Sequence, residues 1–457
     1  MIAQLFVEAP PLARLARARN YRWLVVGTVC IGAFLGQLDA SIASLVLPTL
    51  EEVFRASVAS VEWVAIAYLL TLAALVVTFG RLADMLGRKT MYTAGFLVFI
   101  CGSALCGLAP GLGWLIVFRV VQAVGAAMLQ ANSVAIITAA VPHDQLGRAI
   151  GVQGAAQAIG LSVGPSLGGL LISGFGWQWV FFIAVPFGLA GTVLGWLILP
   201  RTSPRPSLQQ EVARERFDWA GAVVFAGAIA ALLLALTYGN SWGWTSARLL
   251  ATLSAFVLAL GGFALIERRA AFPLIDMALF RRSAFTAGIA AGLLSYAVLF
   301  GLLFLMPFYL ERILGRNAAI AGLLLTPVPL AIGLLAPVSG FLADKRGARP
   351  LMVAGMLVAA IALAGLALLS PAPLAAVIVL LAAFGVGLGL FTPPNNSAIM
   401  GSAPANRLGV AGGVLNMTRS VGTSLGVAAT GAVLAVSLAA LSGGTVESTF
   451  NASQPAL

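Results

Sequence analysis

The stretch GRLADMLGRK, residues Gly80–Lys89, decides the fold, because it is a short charged run between two long apolar segments. Such a run must lie outside the hydrocarbon of a bilayer, since an isolated charged side chain at mid-bilayer costs roughly 2.5–3.5 kcal/mol. About 260 residues later the chain repeats it as GFLADKRGAR, residues Gly340–Arg349, again between two apolar segments. A charged loop repeated at matching places predicts two homologous bundles of membrane helices.

Both loops resemble the inter-helix loop of the major facilitator superfamily, whose pattern is G-x-L-A-D-x-x-G-R-K. The first copy matches it at Gly80, Leu82, Ala83, Asp84, Gly87, Arg88 and Lys89, and the second at Gly340, Leu342, Ala343, Asp344 and Gly347. The alternative for one loop alone is a basic cluster that only sets membrane orientation. Two copies sharing the Asp and both Gly residues favour the family. The resemblance implies gating loops, in which Asp84 and Asp344 pair with basic groups and helix N-termini.

The composition excludes an ordinary soluble globule. Apolar residues make up 60% of the chain and charged residues 9%, and the mean hydropathy is +1.02. The net charge of +11 is spread over the loops, so it indicates membrane topology and no nucleic-acid partner. Cys30, Cys101 and Cys106 lie in apolar segments and His143 is the single histidine, so we expect no disulfide framework, metal, cofactor or catalytic set, and hence no enzyme.

Thirteen apolar segments are long enough to span a bilayer. They predict an all-α polytopic protein with a six-helix bundle in residues 1–200, a charged linker with two extra helices in 201–283, and a second bundle in 284–457 that shows about five helices. The segments lie near residues 24–47, 60–80, 91–109, 114–138, 147–172, 180–199, 218–237, 248–266, 284–309, 319–341, 350–370, 374–396 and 408–441.

The two extra segments between the halves resemble the fourteen-helix drug:proton antiporter branch of the superfamily. Members of that branch have one further helix at the C-terminus. Here the residues after Leu441 are too few and too polar to span a bilayer, so we expect the last helix of the branch to be missing.

The distribution of Lys and Arg predicts the orientation. Twenty of these residues fall on the side that holds the N-terminus, and four fall on the other side. The positive-inside rule therefore places the N-terminus in the cytoplasm. We expect a multi-pass protein of the cytoplasmic membrane, in contact with the lipid bilayer and acting as a monomer.

Asp39 is the first candidate for chemistry. It lies about nine residues from the outer end of its segment, roughly 13 Å deep. An intramembrane carboxylate is a functional-site hypothesis because its insertion cost must be offset. The alternative is a polar residue satisfied by its neighbours Gln37 or Ser41. The stretch LGQLDASIASLVLP also resembles the L-D-x-T-I-x-N-x-A-L-P pattern of the antiporter branch.

Arg119 is the second candidate. Its stretch resembles the R-x-x-Q-G-x-G-x-A motif of the family, which Arg119, Gln122, Gly125 and Ala127 match and from which Ala123 departs. Because an arginine stays protonated, its expected work is electrostatic, as the partner of a carboxylate. The alternative is that Arg119 extends its side chain to the membrane interface.

The stretch Gly160–Gly169 matches the antiporter motif G-x-x-x-G-P-x-x-G-G completely, with Gly160, Gly164, Pro165, Gly168 and Gly169. Glycines four apart give a flat helix face that another helix can approach closely, and the proline permits a bend. Helix packing alone would explain this pattern. The resemblance implies exchange of substrate against protons.

Other polar residues are weaker candidates. Glu62 suits a helix start, and Glu311 is either a cation-attracting residue at the mouth or a partner for Arg312 or Arg316. We include both with Asp39 and Arg119 as residues for proton coupling. For the substrate cavity we expect Gln37, Gln122, Asn132, Asn395 and Asn396.

The sequence thus predicts a proton-coupled antiporter that exports varied small apolar or cationic compounds, as in multidrug efflux and antibiotic resistance. Protonation of Asp39 would favour one orientation of the bundles, and substrate binding the other. Two alternatives stay open. One is a dedicated proton-coupled transporter of a single metabolite, and the other is a membrane sensor or binding protein that transports nothing.

Overall fold

The structure is a computed structural model, and it describes residues 8–202, 217–270, 272–310, 314–315, 318–369 and 373–442. Within these ranges the chain is built from helices, with no β-strand. Thirteen of the described helical segments are long and apolar enough to cross a membrane, which confirms the expected all-α polytopic fold and the number of visible spans.

We number the thirteen main helices in chain order. In the first half they are α1 (Tyr21–Phe54), α2 (Trp63–Leu86), α3 (Arg88–Gly107), α4 (Leu112–Ala140), α5 (Leu146–Phe175) and α6 (Ala184–Ile198). Two linking helices follow, α7 (Trp219–Trp242) and α8 (Ala247–Arg269). The second half contains α9 (Ser283–Phe308), α10 (Pro327–Arg346), α11 (Ala348–Leu368), α12 (Leu374–Ser402) and α13 (Leu408–Ser442). Shorter helices are Ala13–Ala16, Val58–Val61, Trp179–Phe182 and Ala318–Leu325.

The two charged loops have the same backbone geometry. Gly87 ends α2 with a φ of 103°, and Gly347 ends α10 with a φ of 84°. Residues with a Cβ rarely adopt such positive φ values, so glycine lets one helix stop and the next begin immediately. We call the end of the molecule at which α2 and α10 finish the basic end.

The two halves meet through two equivalent helix pairs. α5 of the first half packs against α10 of the second, and α2 packs against α13. Within the halves, α1 packs on α5 and α9 packs on α13. The fold is therefore pseudo-symmetric, with α1, α2 and α5 corresponding to α9, α10 and α13.

The sequences of α5 and α13 also correspond, at positions outside the two charged loops. The shared positions are Leu146, Gly147, Ala149, Gly151, Val152, Gly160, Ser162, Gly164 and Gly169, which recur 262 positions later as Leu408, Gly409, Ala411, Gly413, Val414, Gly422, Ser424, Gly426 and Gly431. Two of these glycines in each half, Gly160 and Gly164 in α5 and Gly422 and Gly426 in α13, lie against the first helix of that half. A Cβ at Gly160 would lie 2.5 Å from the carbonyl oxygen of Phe34, and one at Gly422 would lie 2.6 Å from that of Leu293.

The linking helices pack on the outside of this arrangement. α7 contacts both α2 and α13, and α8 packs along α7. On α7, Asn240 Nδ2 donates to the carbonyl oxygen of Ala428 at 3.3 Å, and the Tyr238 ring lies 6.2 Å from that of Trp63. α7 thus spans the contact between the two halves.

Reporters joined to the two ends of the chain test the topology. An odd number of spans places the ends on opposite sides of the membrane, so we expect an N-terminal reporter to be active only in the cytoplasm and a C-terminal one only outside it. Dual-reporter activity in intact cells measures this. If both reporters were cytoplasmic, a fourteenth crossing would have to follow or interrupt α13.

Candidate functional site

The first half holds a buried ion pair between α1 and α4. Arg119 Nη1 donates to both oxygens of Asp39, at 3.0 and 2.9 Å, and the two side chains are 1% and 4% exposed. Gln122 completes the group, because its Nε2 donates to Asp39 Oδ1 at 2.8 Å while its Oε1 accepts from Arg119 Nη1 at 2.7 Å. Asp39 is therefore held by Arg119 and Gln122, and Arg119 does not extend to the interface.

The helix period brings these groups together. Arg119 and Gln122 are three residues apart, so both face α1 from α4. The Arg119 Nε donates to the carbonyl oxygen of Val64 at 3.2 Å, which ties in the first turn of α2. The guanidinium lies 4.1 Å from the centre of the Tyr68 ring, a cation–π distance. Because α4 begins at Leu112, the pair lies about 10 Å from the end opposite the basic end.

The glycines of the antiporter motif let α5 approach α1 next to this pair. A Cβ at Gly164 would lie 2.5 Å from Ser41 Oγ, and one at Gly168 would lie 3.2 Å from Ile42 Cγ2. Gly169 meets nothing within 4 Å, and Pro165 lies inside the continuous helix. Three of the four glycines therefore form a close packing surface against the helix that carries Asp39.

The carboxylate of Asp84 crosses from the first half to the second at the basic end. Its Oδ1 accepts from the backbone N–H of Gly409 at 2.9 Å, and its Oδ2 accepts from that of Val410 at 3.0 Å. Both donors are orphan N–H groups of the first turn of α13, where a negative charge is favoured. Arg88 Nη2 donates to Asp84 Oδ1 at 2.7 Å and to the carbonyl oxygen of Ala405 at 2.7 Å.

Asp344 makes the equivalent contact in the opposite direction. Its two carboxylate oxygens accept from the backbone N–H groups of Gly147 at 2.7 Å and Arg148 at 2.9 Å, at the start of α5. The backbones approach closely at both places. A Cβ at Gly80 would collide with the carbonyl oxygen of Gly409, and one at Gly340 with that of Gly147. The first Gly of each loop is thus required by helix contact between the halves.

Lys89, the last basic residue of the first loop, contacts the N-terminal segment. Lys89 Nζ donates to the carbonyl oxygen of Ala9 at 2.8 Å. Glu8 accepts from the backbone N–H of Thr90 at 3.2 Å and from Thr202. The start of α3 is therefore held by chain segments that precede and follow the first six main helices.

A group of polar side chains in the first half lies against α13, deeper than the two charged loops. Gln37, Gln130, Ser133 and Gln157 line a small cavity. From α13, Asn416 Nδ2 donates to the carbonyl oxygen of Gln130 at 3.0 Å. The sequence points to Gln37 as a cavity residue and not to Gln130, Gln157 or Asn416. The register shared by α5 and α13, which aligns Gln157 with the intramembrane Arg419, is a signal that could have identified Gln157.

The other predicted cavity residues lie elsewhere. Gln122 belongs to the Asp39 group, and Asn132 is fully buried and donates to Met128 within α4 at 2.8 Å. Asn395 is buried and donates to the carbonyl oxygen of Gly288 at 3.0 Å, joining α12 to α9, and Asn396 is half-buried.

Glu62 is not part of the ion pair. Glu62 is exposed and precedes α2 without a side-chain capping bond, so the expected helix-capping contact is not made. Glu311 lies outside the described residues. Across the described ranges, no group of three or more His, Cys, Asp or Glu side chains could hold a metal ion.

Two pseudo-symmetric helical bundles around an interior polar group are the architecture of a membrane transporter. The sequence profile of the Major Facilitator Superfamily matches residues 29–427. The chain belongs to this family of transporters.

Similar proteins include a transporter, an export protein and a drug-resistance protein. The riboflavin transporter RibZ of Clostridioides difficile is 37% identical over 408 residues, 89% of this chain and 87% of RibZ. The tetracenomycin C resistance and export protein of Streptomyces glaucescens is 34% identical, over 91% of this chain and 77% of that protein. The multidrug resistance protein Stp of Mycobacterium tuberculosis is 32% identical, over 90% and 75%.

Solved structures agree on the fold. The proton:xylose symporter XylE superimposes with a TM-score of 0.65 at 13% identity, covering 94% of this chain and 92% of XylE. The human organic anion transporter MFSD10 gives a TM-score of 0.65 at 15% identity, over 94% and 96%.

Replacing Asp84 tests the contact at the basic end. Asp84→Asn removes the charge that holds α13, and each charge-assisted hydrogen bond contributes about 1.5–3 kcal/mol. We expect the open form of the basic end to gain about tenfold in population, transport to fall and the amount of protein in the membrane to stay near normal. Spin labels at positions 143 and 349, both exposed and on different halves, measure the distance between the halves.

Asp144→Asn is the control, since Asp144 is an exposed carboxylate on the same end. It should leave the distance distribution unchanged. If Asp84→Asn lowered transport only in proportion to a loss of protein from the membrane, the loop would serve insertion and orientation alone.

Proposed function

We propose that this protein is a proton-coupled antiporter that exports small molecules across the cytoplasmic membrane, with its N-terminus in the cytoplasm. The observation that carries the proposal is the buried group of Asp39, Arg119 and Gln122. A carboxylate inside a membrane bundle needs a counter-charge, and it can hold a proton when that counter-charge moves away.

Proton uptake at Asp39 is the coupling step. Protonation of either carboxylate oxygen makes Asp39 neutral and removes its attraction for Arg119. The guanidinium then keeps its bonds to Gln122 and the carbonyl oxygen of Val64, so its charge stays solvated by protein. Arg119 of α4 bonds to Asp39 of α1 and to Val64 of α2. The change of charge at Asp39 therefore alters how α1 packs against the other two helices.

The carboxylates Asp84 and Asp344 connect this change to access. They hold the halves together at the basic end, through α13 and α5. Since α5 packs along α1 through the glycine surface, a movement of α1 reaches the contact that Asp344 makes. Rocking of the halves about the interior polar group would then expose it alternately to the two sides.

The nature of the relatives supports export of organic molecules. Two of the three similar proteins named above are called resistance or export proteins for antibiotics or drugs. The riboflavin transporter supports a second candidate, a dedicated transporter of a single metabolite. The two candidates differ in the number of unrelated compounds that compete for one interior site.

The proton role of Asp39 is tested by Asp39→Asn in proteoliposomes. The substitution keeps shape and the bond from Gln122 but fixes the charge at zero. We expect the variant to bind substrate and to lose about tenfold or more of the export driven by a pH gradient. Asp39→Glu should retain part of the activity, because it keeps a titratable group.

Glu62→Gln is the matched control, since Glu62 is an exposed carboxylate. It should change export less than twofold, by about the effect of a surface substitution. Removing one partner of a buried ion pair is destabilising, by about 3–5 kcal/mol, so folded protein is quantified for every variant. Export by folded Asp39→Asn at the normal rate and with normal pH dependence would place the proton site elsewhere.

A further inference from the structure

Arg419 is a second intramembrane cation, and the ion pair described above does not involve it. It lies on α13, half-buried, about 16 Å from the basic end of that helix. Its Nη2 donates to Gln157 Oε1 at 3.2 Å and its Nη1 to Asn416 Oδ1 at 3.4 Å. Its guanidinium carbon lies 4.9 Å from the centre of the Tyr296 ring.

The charge of Arg419 is not neutralised by a neighbouring acid in the described structure. The ion pairs found there join Arg88 to Asp84, Arg119 to Asp39 and Arg407 to Asp276. Neutral amides and an aromatic ring therefore hold the guanidinium. An arginine inside a bundle is expensive to insert, which makes it a functional-site hypothesis.

The pseudo-symmetry places Arg419 beside the small interior cavity, because Gln157 lines that cavity. Arg419 and Gln157 occupy the same position in α13 and α5, and they bond to each other between the halves. Tyr296 follows Leu293 by three residues, as Gln37 follows Phe34, and these are the carbonyl groups that Gly422 and Gly160 approach. Three glutamines of the first half, Gln37, Gln130 and Gln157, thus line the cavity, and Arg419 with Tyr296 lies next to it on the second half.

We propose that Arg419 and Tyr296 form the recognition subsite for anionic aromatic substrates, with a carboxylate or phenolate on the guanidinium and the ring against Tyr296. This rests on the proposed function for the role of the cavity. Gln37, Gln130 and Gln157 would bind carbonyl or hydroxyl groups at the neutral end of the substrate. The substrate class therefore differs from the apolar or cationic compounds that the sequence indicates.

Charge is the physical basis of this selectivity. Asp39 and Arg119 cancel each other, so Arg419 leaves the described interior with one net positive charge. In a site of low dielectric constant a cation close to a guanidinium is repelled, whereas an anion is attracted and replaces the neutral acceptors Gln157 and Asn416 with a charged one. The planar fork of arginine suits a carboxylate with two acceptor oxygens.

Two dyes with the same ring system and opposite charge provide the test. Fluorescein is an anion at mildly alkaline pH, whereas rhodamine 123 is a cation. Fluorescence anisotropy of each dye is titrated with the purified full chain in detergent. We expect fluorescein to bind at least about tenfold more tightly than rhodamine 123. Only the anion offers Arg419 an acceptor of opposite charge, and only the cation is repelled by it.

Three variants separate charge from shape. Arg419→Gln should lose about tenfold of its affinity for fluorescein and bind rhodamine 123 as well as before or better. Arg419→Lys should keep most of the preference for the anion, and Tyr296→Leu should weaken both dyes to a similar degree. Arg349→Gln is the control, because Arg349 is an exposed arginine at the basic end, and it should change neither affinity.

These experiments test the binding subsite and the proposed transport function separately. The proposal is overturned if the unmodified protein binds rhodamine 123 as well as fluorescein, if it binds neither dye, or if folded Arg419→Gln keeps the full preference for fluorescein. If no variant and no unmodified protein exported any compound in proteoliposomes, but fluorescein bound through Arg419, the proposed function would fail and the subsite would stand.

Discussion

Carboxylates that accept hydrogen bonds from backbone N–H groups at the start of a helix in the other half join the two halves of this structure. Asp84 does this for α13, and Asp344 does it for α5. The orphan donors of a helix start need partners, and the partial positive charge there favours an anion. The contact is made twice, in opposite directions. We therefore expect both contacts to form and break together when the basic end closes and opens.

The low dielectric constant of the membrane explains why so few charges lie inside and why each has close partners. Asp39 has Arg119 and Gln122, and both charged side chains are almost completely inaccessible to solvent. Arg419 has amides and an aromatic ring in place of an acid. The first arrangement can change its charge by taking up a proton, whereas the second keeps its charge permanently. A transporter of this design would use one site for coupling and the other for recognition.

The sequence predicted the spans and both loops, because length and hydropathy determine what can cross a bilayer and the loops match position by position. The family resemblance implied helix N-termini as partners of Asp84 and Asp344 but did not say which helices, and the N–H groups that bind the two Oδ1 atoms lie 325 and 197 residues away in the chain. A backbone N–H leaves no mark in the identity of its residue. The interior was harder for a related reason, since Asn132 is fully buried and bonded to a backbone carbonyl whereas Gln130 lines the cavity. Deciding between such residues requires the rotation of each helix about its axis, which apolar residues on all sides of a membrane helix do not specify.

The pseudo-symmetry links the coupling site to the recognition site. Gly160 and Gly164 press α5 against α1, which carries both Asp39 and Gln37, and Gly422 and Gly426 press α13 against α9, which carries Tyr296. α5 and α13 are also the helices whose first turns Asp344 and Asp84 hold. Each of these two helices thus touches a gating carboxylate at its start and the cavity further along. In the proposed mechanism, a change at Asp39 would therefore alter the cavity and the closure of the basic end through one rigid element, without any intermediate chain of side chains.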